Sequence, residues 1–210
     1  HHSLVREHLA ERVGLEPFTG AELLMLLRER LPGLSDPAGA VALLRERTGG
    51  VPFLVTEVLN GQAGSNEAVG VTALASSVPE SVSEWVAARM ADLPASAVEV
   101  LTWAAILPGP ARMAWLISLV SGLDEGGLLD AIDILVEERL LGDEGRDNPA
   151  FRHALIRDAV LARLKPDQRR RRCDAAADAL AGEPTGMRAP LLAGAGRAGE
   201  AALTYLELAE

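Results

Sequence analysis

Apolar residues recur at three- and four-residue spacing over nearly the whole chain, while the alternating β-branched pattern of a half-buried strand is scarce. That periodicity restricts the fold to a mainly α architecture. Leu23, Leu24, Leu27 and Leu31 form one such stripe, with Thr19 placed to cap a helix over about Gly20 to Leu31. Asp36 followed by Pro37 starts a second helix, and Pro52, at a first-turn position, starts a third that runs to about Asn60. These three make a small helical bundle.

Gly61, Gly64, Ser65, Asn66, Gly70, Ser76 and Ser77 interrupt any period between 61 and 77, so this stretch reads as a linker. A second block opens near Pro79, with Val82, Trp85, Val86, Arg89 and Met90 on one helix. Short helices follow over roughly Ala95 to Leu107, Arg112 to Ser121 and Glu125 to Leu141. The turn-rich run Gly142-Asp143-Glu144-Gly145-Arg146-Asp147-Asn148-Pro149 then separates Leu140-Leu141 from Phe151. Three helices followed by a short β-hairpin is the order of a winged helix. The third helix carries Asp124, Glu125, Asp130, Asp133, Glu137 and Glu138 against Arg139 alone, a charge that phosphates repel, so this wing is not expected to read DNA. A third block runs from His153 to Leu164 and from Pro166 to about Ala181. Pro184, Gly186 and Pro190 are expected to break the chain before a last helix over Gly199 to Glu210, which has the character of a first helix in a repeat array.

The net charge of -10 argues against general affinity for nucleic acid or an anionic membrane. A lone cysteine, Cys173, excludes an internal disulfide and a cysteine-based zinc site, and a reducing, cytoplasmic setting fits best. The longest apolar candidate, Leu101 to Val120, is interrupted by Pro108, Gly109, Pro110 and Arg112, so no membrane association is expected.

Chemistry-bearing motifs are few. A Walker loop needs a lysine after glycine, and the chain's only lysine, Lys165, follows Arg163 and Leu164. His8 and His153 stand too far apart to form a ligand pair, and no catalytic or metal site is expected. Cys173 follows Arg169-Arg170-Arg171-Arg172, which could lower a thiol pKa, but the plainer reading is a helix residue beside solvated arginines. Two segments remain. Gly49-Gly50-Val51-Pro52 allows a sharp turn after one helix and a stiff start to the next, which by itself is a helix-turn-helix corner. In Phe151-Arg152-His153-Ala154-Leu155-Ile156-Arg157-Asp158, Phe151, Leu155 and Ile156 suit a core anchor while His153 and Arg157, four apart, share one face. A histidine satisfied by a hydrogen bond at the edge of the core is the plainer reading of that segment alone.

Taken together, Thr48-Gly49-Gly50-Val51-Pro52-Phe53-Leu54 with Glu57-Val58-Leu59, then Val78-Pro79-Glu80-Ser81-Val82, then Phe151 to Val160, resemble the large ATP-binding transcription regulators of the LuxR type. More broadly, the chain is similar to the signal-transducing ATPases with numerous domains, over about Leu15 to Leu180. The resemblance implies a helical lid over 1–62, a linker over 63–77, a winged-helix domain over 78–165 and, over 166–210, a helical extension leading to a sensor array. It implies ATP or ADP as the ligand of an upstream P-loop core, with Gly50 and Pro52 near the adenine and His153 on the ADP phosphates. Val51 stands where Asn is frequent, and Ala154 replaces the aspartate of the related Met-His-Asp motif. By the same resemblance the chain itself is not an enzyme, the full-length protein being an ATPase at most, and neither binds nucleotide tightly alone nor touches DNA, which a C-terminal domain would do. An inducer of unknown identity and ATP would release the switch and permit self-association. Two alternatives are a regulatory module of a nucleotide cyclase or kinase, and a helical interaction scaffold without nucleotide contact.

Overall fold

A computed structural model describes residues 14–62, 74, 78–142, 145 and 147–208. The chain divides between residues 77 and 78 into two compact units, each with its own core.

The first unit holds α1 (Gly20–Arg30), α2 (Pro37–Thr48) and α3 (Pro52–Asn60). Thr19 caps α1 in a reciprocal box: the Glu22 amide donates to its hydroxyl at 3.3 Å, and the Thr19 amide donates to the Glu22 carboxylate at 2.8 Å. Asp36 caps α2 by accepting from the Gly39 amide at 2.9 Å, with Pro37 pre-set for the first turn. Leu23, Leu27 and Leu31 of the expected stripe are buried, and Leu44, Leu54, Val55, Val58 and Leu59 complete the core. Leu74, inside the stretch expected to be linker, is helical and buried, and the Arg47 guanidinium donates to its carbonyl. The rest of 63–77 lies outside the described residues.

The second unit is built around α5 (Ala95–Ile106), which follows α4 (Glu80–Ala91) and is packed by α6 (Met113–Leu119), α7 (Glu125–Glu137), α8 (Ala154–Ala162) and α9 (Pro166–Ala179). Ala97, Val100, Leu101, Thr102, Trp103, Ala104, Ala105 and Ile106 are all buried, so α5 is covered on every side along its second half. A helix end so enclosed leaves carbonyls without water. Arg157 of α8 meets them, donating from Nε to the Ala105 carbonyl at 2.9 Å and from Nη2 to that of Leu107 at 3.3 Å. A cation at a helix C-terminus also offsets the macrodipole.

The expected β-hairpin does not form among the described residues. A single antiparallel bridge joins Leu141 to Phe151, with the Gly142 amide donating to the Ala150 carbonyl at 2.8 Å. The Arg152 amide donates to the Leu140 carbonyl at 3.5 Å on the other side of the bridge, and the pairing ends there because the next donor, the Leu140 amide, is committed elsewhere. α7 ends in a Schellman turn in which Arg139 takes φ +59, its amide donating to Val136 and that of Leu140 to Leu135. Residues 143, 144 and 146 lie outside the described set.

The expected break over 184–190 is instead a helix, α10 (Thr185–Gly194), followed by α11 (Ala198–Glu207). Pro184 sits at the N-cap, where proline costs little, but Pro190 lies inside and forfeits one ladder bond. Burial of Ala189, Leu191, Leu192 and Ala195, on a helix packed by α9 and α11, outweighs that loss.

All three tryptophans lie in the second unit, so indole fluorescence reports its unfolding alone. Arg157→Met should lower its stability in urea by about 2 kcal/mol, the scale of a hydrogen bond from a charged donor to a half-enclosed carbonyl. Arg152→Met, at an exposed neighbour, should change it by less than about 0.5 kcal/mol.

Candidate functional site

Gly50 and Pro52 belong to the first unit and His153 to the second. At the α2–α3 corner Gly49 and Gly50 take φ +61 and +76 in succession, a path that side chains beyond glycine disfavour. Thr48 organises the turn: its hydroxyl donates to the Leu44 carbonyl and accepts from the Gly50 amide at 3.1 Å. The Gly50 carbonyl accepts from the Phe18 amide at 2.8 Å, and a Cβ on Gly50 would stand 2.7 Å from the Phe18 carbonyl oxygen. The corner therefore clamps the extended segment before α1 as well as turning the chain. Pro52 is the first residue of α3, half-buried, and its carbonyl accepts from the Thr56 hydroxyl at 2.9 Å. Phe53 beside it is 41% exposed.

His153 is the N-cap of α8 by backbone, its carbonyl accepting from the Ile156 and Arg157 amides at 3.0 and 3.4 Å, but its side chain makes no capping bond. The imidazole is half-buried, and its Nδ1 is enclosed without a hydrogen-bond partner. Burial, aided by the Arg152 charge, lowers its pKa to about 4, so the ring is neutral at pH 7. The satisfied core-edge histidine expected from the segment alone is thus not what the structure holds: the ring keeps one nitrogen in reserve. Nor do His153 and Arg157 act as a pair, because the guanidinium is committed to the end of α5. Phe151 is half-buried, whereas Leu155 and Ile156 anchor the core.

The four-arginine run spreads around α9 rather than forming one solvated patch. Arg170 donates to the Ala195 carbonyl at 2.9 Å, closing the end of α10, and Arg172 forms a bidentate pair with Glu99 at 2.9 Å. Cys173 is buried against Gly194, where a Cβ would meet its Sγ at 2.8 Å. Burial pushes the thiol pKa up against the pull of Arg169 and Arg157, the reverse of an activated nucleophile.

Pattern reading missed a device used three times. Each tryptophan lies under an arginine that also pairs with a glutamate: Arg89 over Trp85 with Glu138, Arg112 over Trp115 with Glu183, and Arg172 over Trp103 with Glu99. In the last two the same carboxylate accepts the indole N–H, at 3.0 and 2.9 Å. Two of the local spacings, Trp85 to Arg89 and Glu99 to Trp103, are four residues and were legible as helical neighbours; the partners 49 to 73 residues away were not. Among the described residues no three His, Cys, Asp or Glu side chains gather as a metal site, and no helix is long and apolar enough to cross a membrane.

Compared with models of known protein families, with curated proteins and with solved structures, the chain matches none.

Gly50→Ala should destabilise the first unit by more than about 1 kcal/mol, since the new methyl meets both an unfavourable φ and a backbone oxygen. Hydrogen exchange at the Phe18 amide reads this directly, and Gly14→Ala, with open space around it, should leave that amide unchanged. For His153 the lowered folded pKa means that the unfolded chain binds the proton first. The stability it contributes is complete above pH 6.5 and is lost as the pH falls towards 4. The fall in Tm between pH 7 and 5 should therefore be smaller in His153→Gln than in the wild-type chain.

Proposed function

We propose that this chain is the lid and winged-helix portion of a nucleotide-dependent switch in a multidomain transcription regulator, acting with a P-loop ATPase core that binds ATP or ADP. The observation that carries the proposal is His153: a neutral, half-buried imidazole at a helix start, with an enclosed Nδ1 that has no partner among the described residues. A phosphate placed against the exposed part of the ring would favour its protonated form, so affinity would differ between docked and undocked arrangements. The Gly50–Pro52 corner supports the same reading from the other unit, since its backbone is held in one conformation by Thr48 and Phe18. The order α5, α6, α7, a returning arm bridged at Leu141 and Phe151, then α8 is read as a winged helix whose wing is a single bridge. α7 bears Glu125, Asp130, Asp133 and Glu137, which suits a protein contact rather than a DNA groove.

The scaffold reading draws on α11, where Leu203 and Leu206 are 65% and 64% exposed, as on a terminal repeat awaiting a neighbour. The nucleotide released on denaturing the chain joined to its upstream core separates the two. ADP that co-purifies with the wild-type protein and is lost in His153→Ala is the expected result. Equal ADP in both overturns the role of His153, and no nucleotide in either overturns the switch in favour of the scaffold.

A further inference from the structure

A groove of about 510 Å³ runs between α5 and α9 in the second unit, a volume within the range of small-molecule sites. Trp103 and Leu119, both almost wholly buried, lie at its base, and Val98, Leu164 and Ala175 add apolar walls. Its polar groups are unevenly committed. Glu99 is fully engaged: one carboxylate oxygen accepts from the Trp103 indole and Arg172, and the other accepts from Arg172 again. The Thr102 hydroxyl is turned to its own helix, donating to the Val98 carbonyl at 2.7 Å. Arg171, in contrast, lines the groove exposed and has neither an ion pair nor a hydrogen bond among the described residues.

With Glu99 cancelling Arg172, the groove carries one uncompensated positive charge on a chain whose net charge is -10. We propose that it binds a small monocarboxylate with an apolar body, the carboxylate on Arg171 and the body against Val98, Leu119 and Leu164, beside the Trp103 ring that Arg172 covers. A guanidinium fork matches a carboxylate in two parallel hydrogen bonds, and of the two arginines that line the groove Arg171 is the one not already paired. Arg172 cannot serve in place of Arg171, because its fork is already filled by Glu99. The groove lies within one unit and its ligand is independent of the nucleotide switch.

The test is titration of the chain with 3-phenylpropionate, followed through the three indole N–H signals in a proton–nitrogen correlation spectrum. Saturable displacement of the Trp103 signal is expected, weakened about tenfold or more by Arg171→Gln, which removes the charged fork. The uncharged 3-phenylpropionamide should be weakened as much, and Arg163→Gln, outside the groove, should bind as the wild-type chain does. Arg171 is exposed, so its variant should retain the remaining spectrum. No saturation, displacement only at Trp85 or Trp115, or equal affinity for the amide or for Arg171→Gln would each overturn the proposal.

Discussion

The enclosure of α5 is the constraint from which the second unit follows. A helix apolar on nearly all sides needs neighbours all round, and α6, α7, α8 and α9 supply them. Once its C-terminus is inside, the last carbonyls need a donor that can reach from another element. Arg157 is that donor, and it ties α8 to the end of α5. Fully buried Leu101 alone accounts for roughly 2 kcal/mol of apolar burial, the scale of the Arg157 contact, and seven further residues of the helix are buried with it.

Around that core the arginine–tryptophan–glutamate clusters fasten the periphery. Each is partly exposed, so its ion pair is worth little by itself. Their value lies in combining three weak contacts on one side chain: a guanidinium over a ring, a carboxylate, and in two cases an indole N–H on that carboxylate. Arg172 holds the Glu99 carboxyl below its usual range and ties α9 to α5, while Arg112, Trp115 and Glu183 tie α6 to the turn after α9. Arg197 gathers Asp174, Asp178 and Glu200 in the same manner at the start of α11, without an aromatic base.

The same economy shapes the two segments of functional interest. The double-glycine corner is a rigid backbone device, in which Thr48 and Phe18 hold Gly50 in a conformation that a larger residue resists. His153 is the opposite, a side chain whose Nδ1 has no partner among the described residues. An unsatisfied buried polar atom of this kind costs free energy.

Helix content, the Thr19 and Asp36 caps and the proline starts of α2, α3 and α9 were legible in the chain, because each depends on residues within one turn of one another. The short range of that signal also marks its limit. Pro184, Gly186 and Pro190 announced a break, and only packing against α9 and α11 made it a helix; the turn after Leu141 announced a hairpin, and the commitment of the Leu140 amide to the end of α7 stopped it at one bridge. Gly50, Pro52 and His153 were visible as residues, but not the +76 turn against Phe18, nor the enclosed Nδ1. The distant partners in the three tryptophan clusters and the Arg171 groove came from tertiary structure alone, since hydrogen bonds between residues 49 to 73 positions apart leave no periodic trace in the sequence.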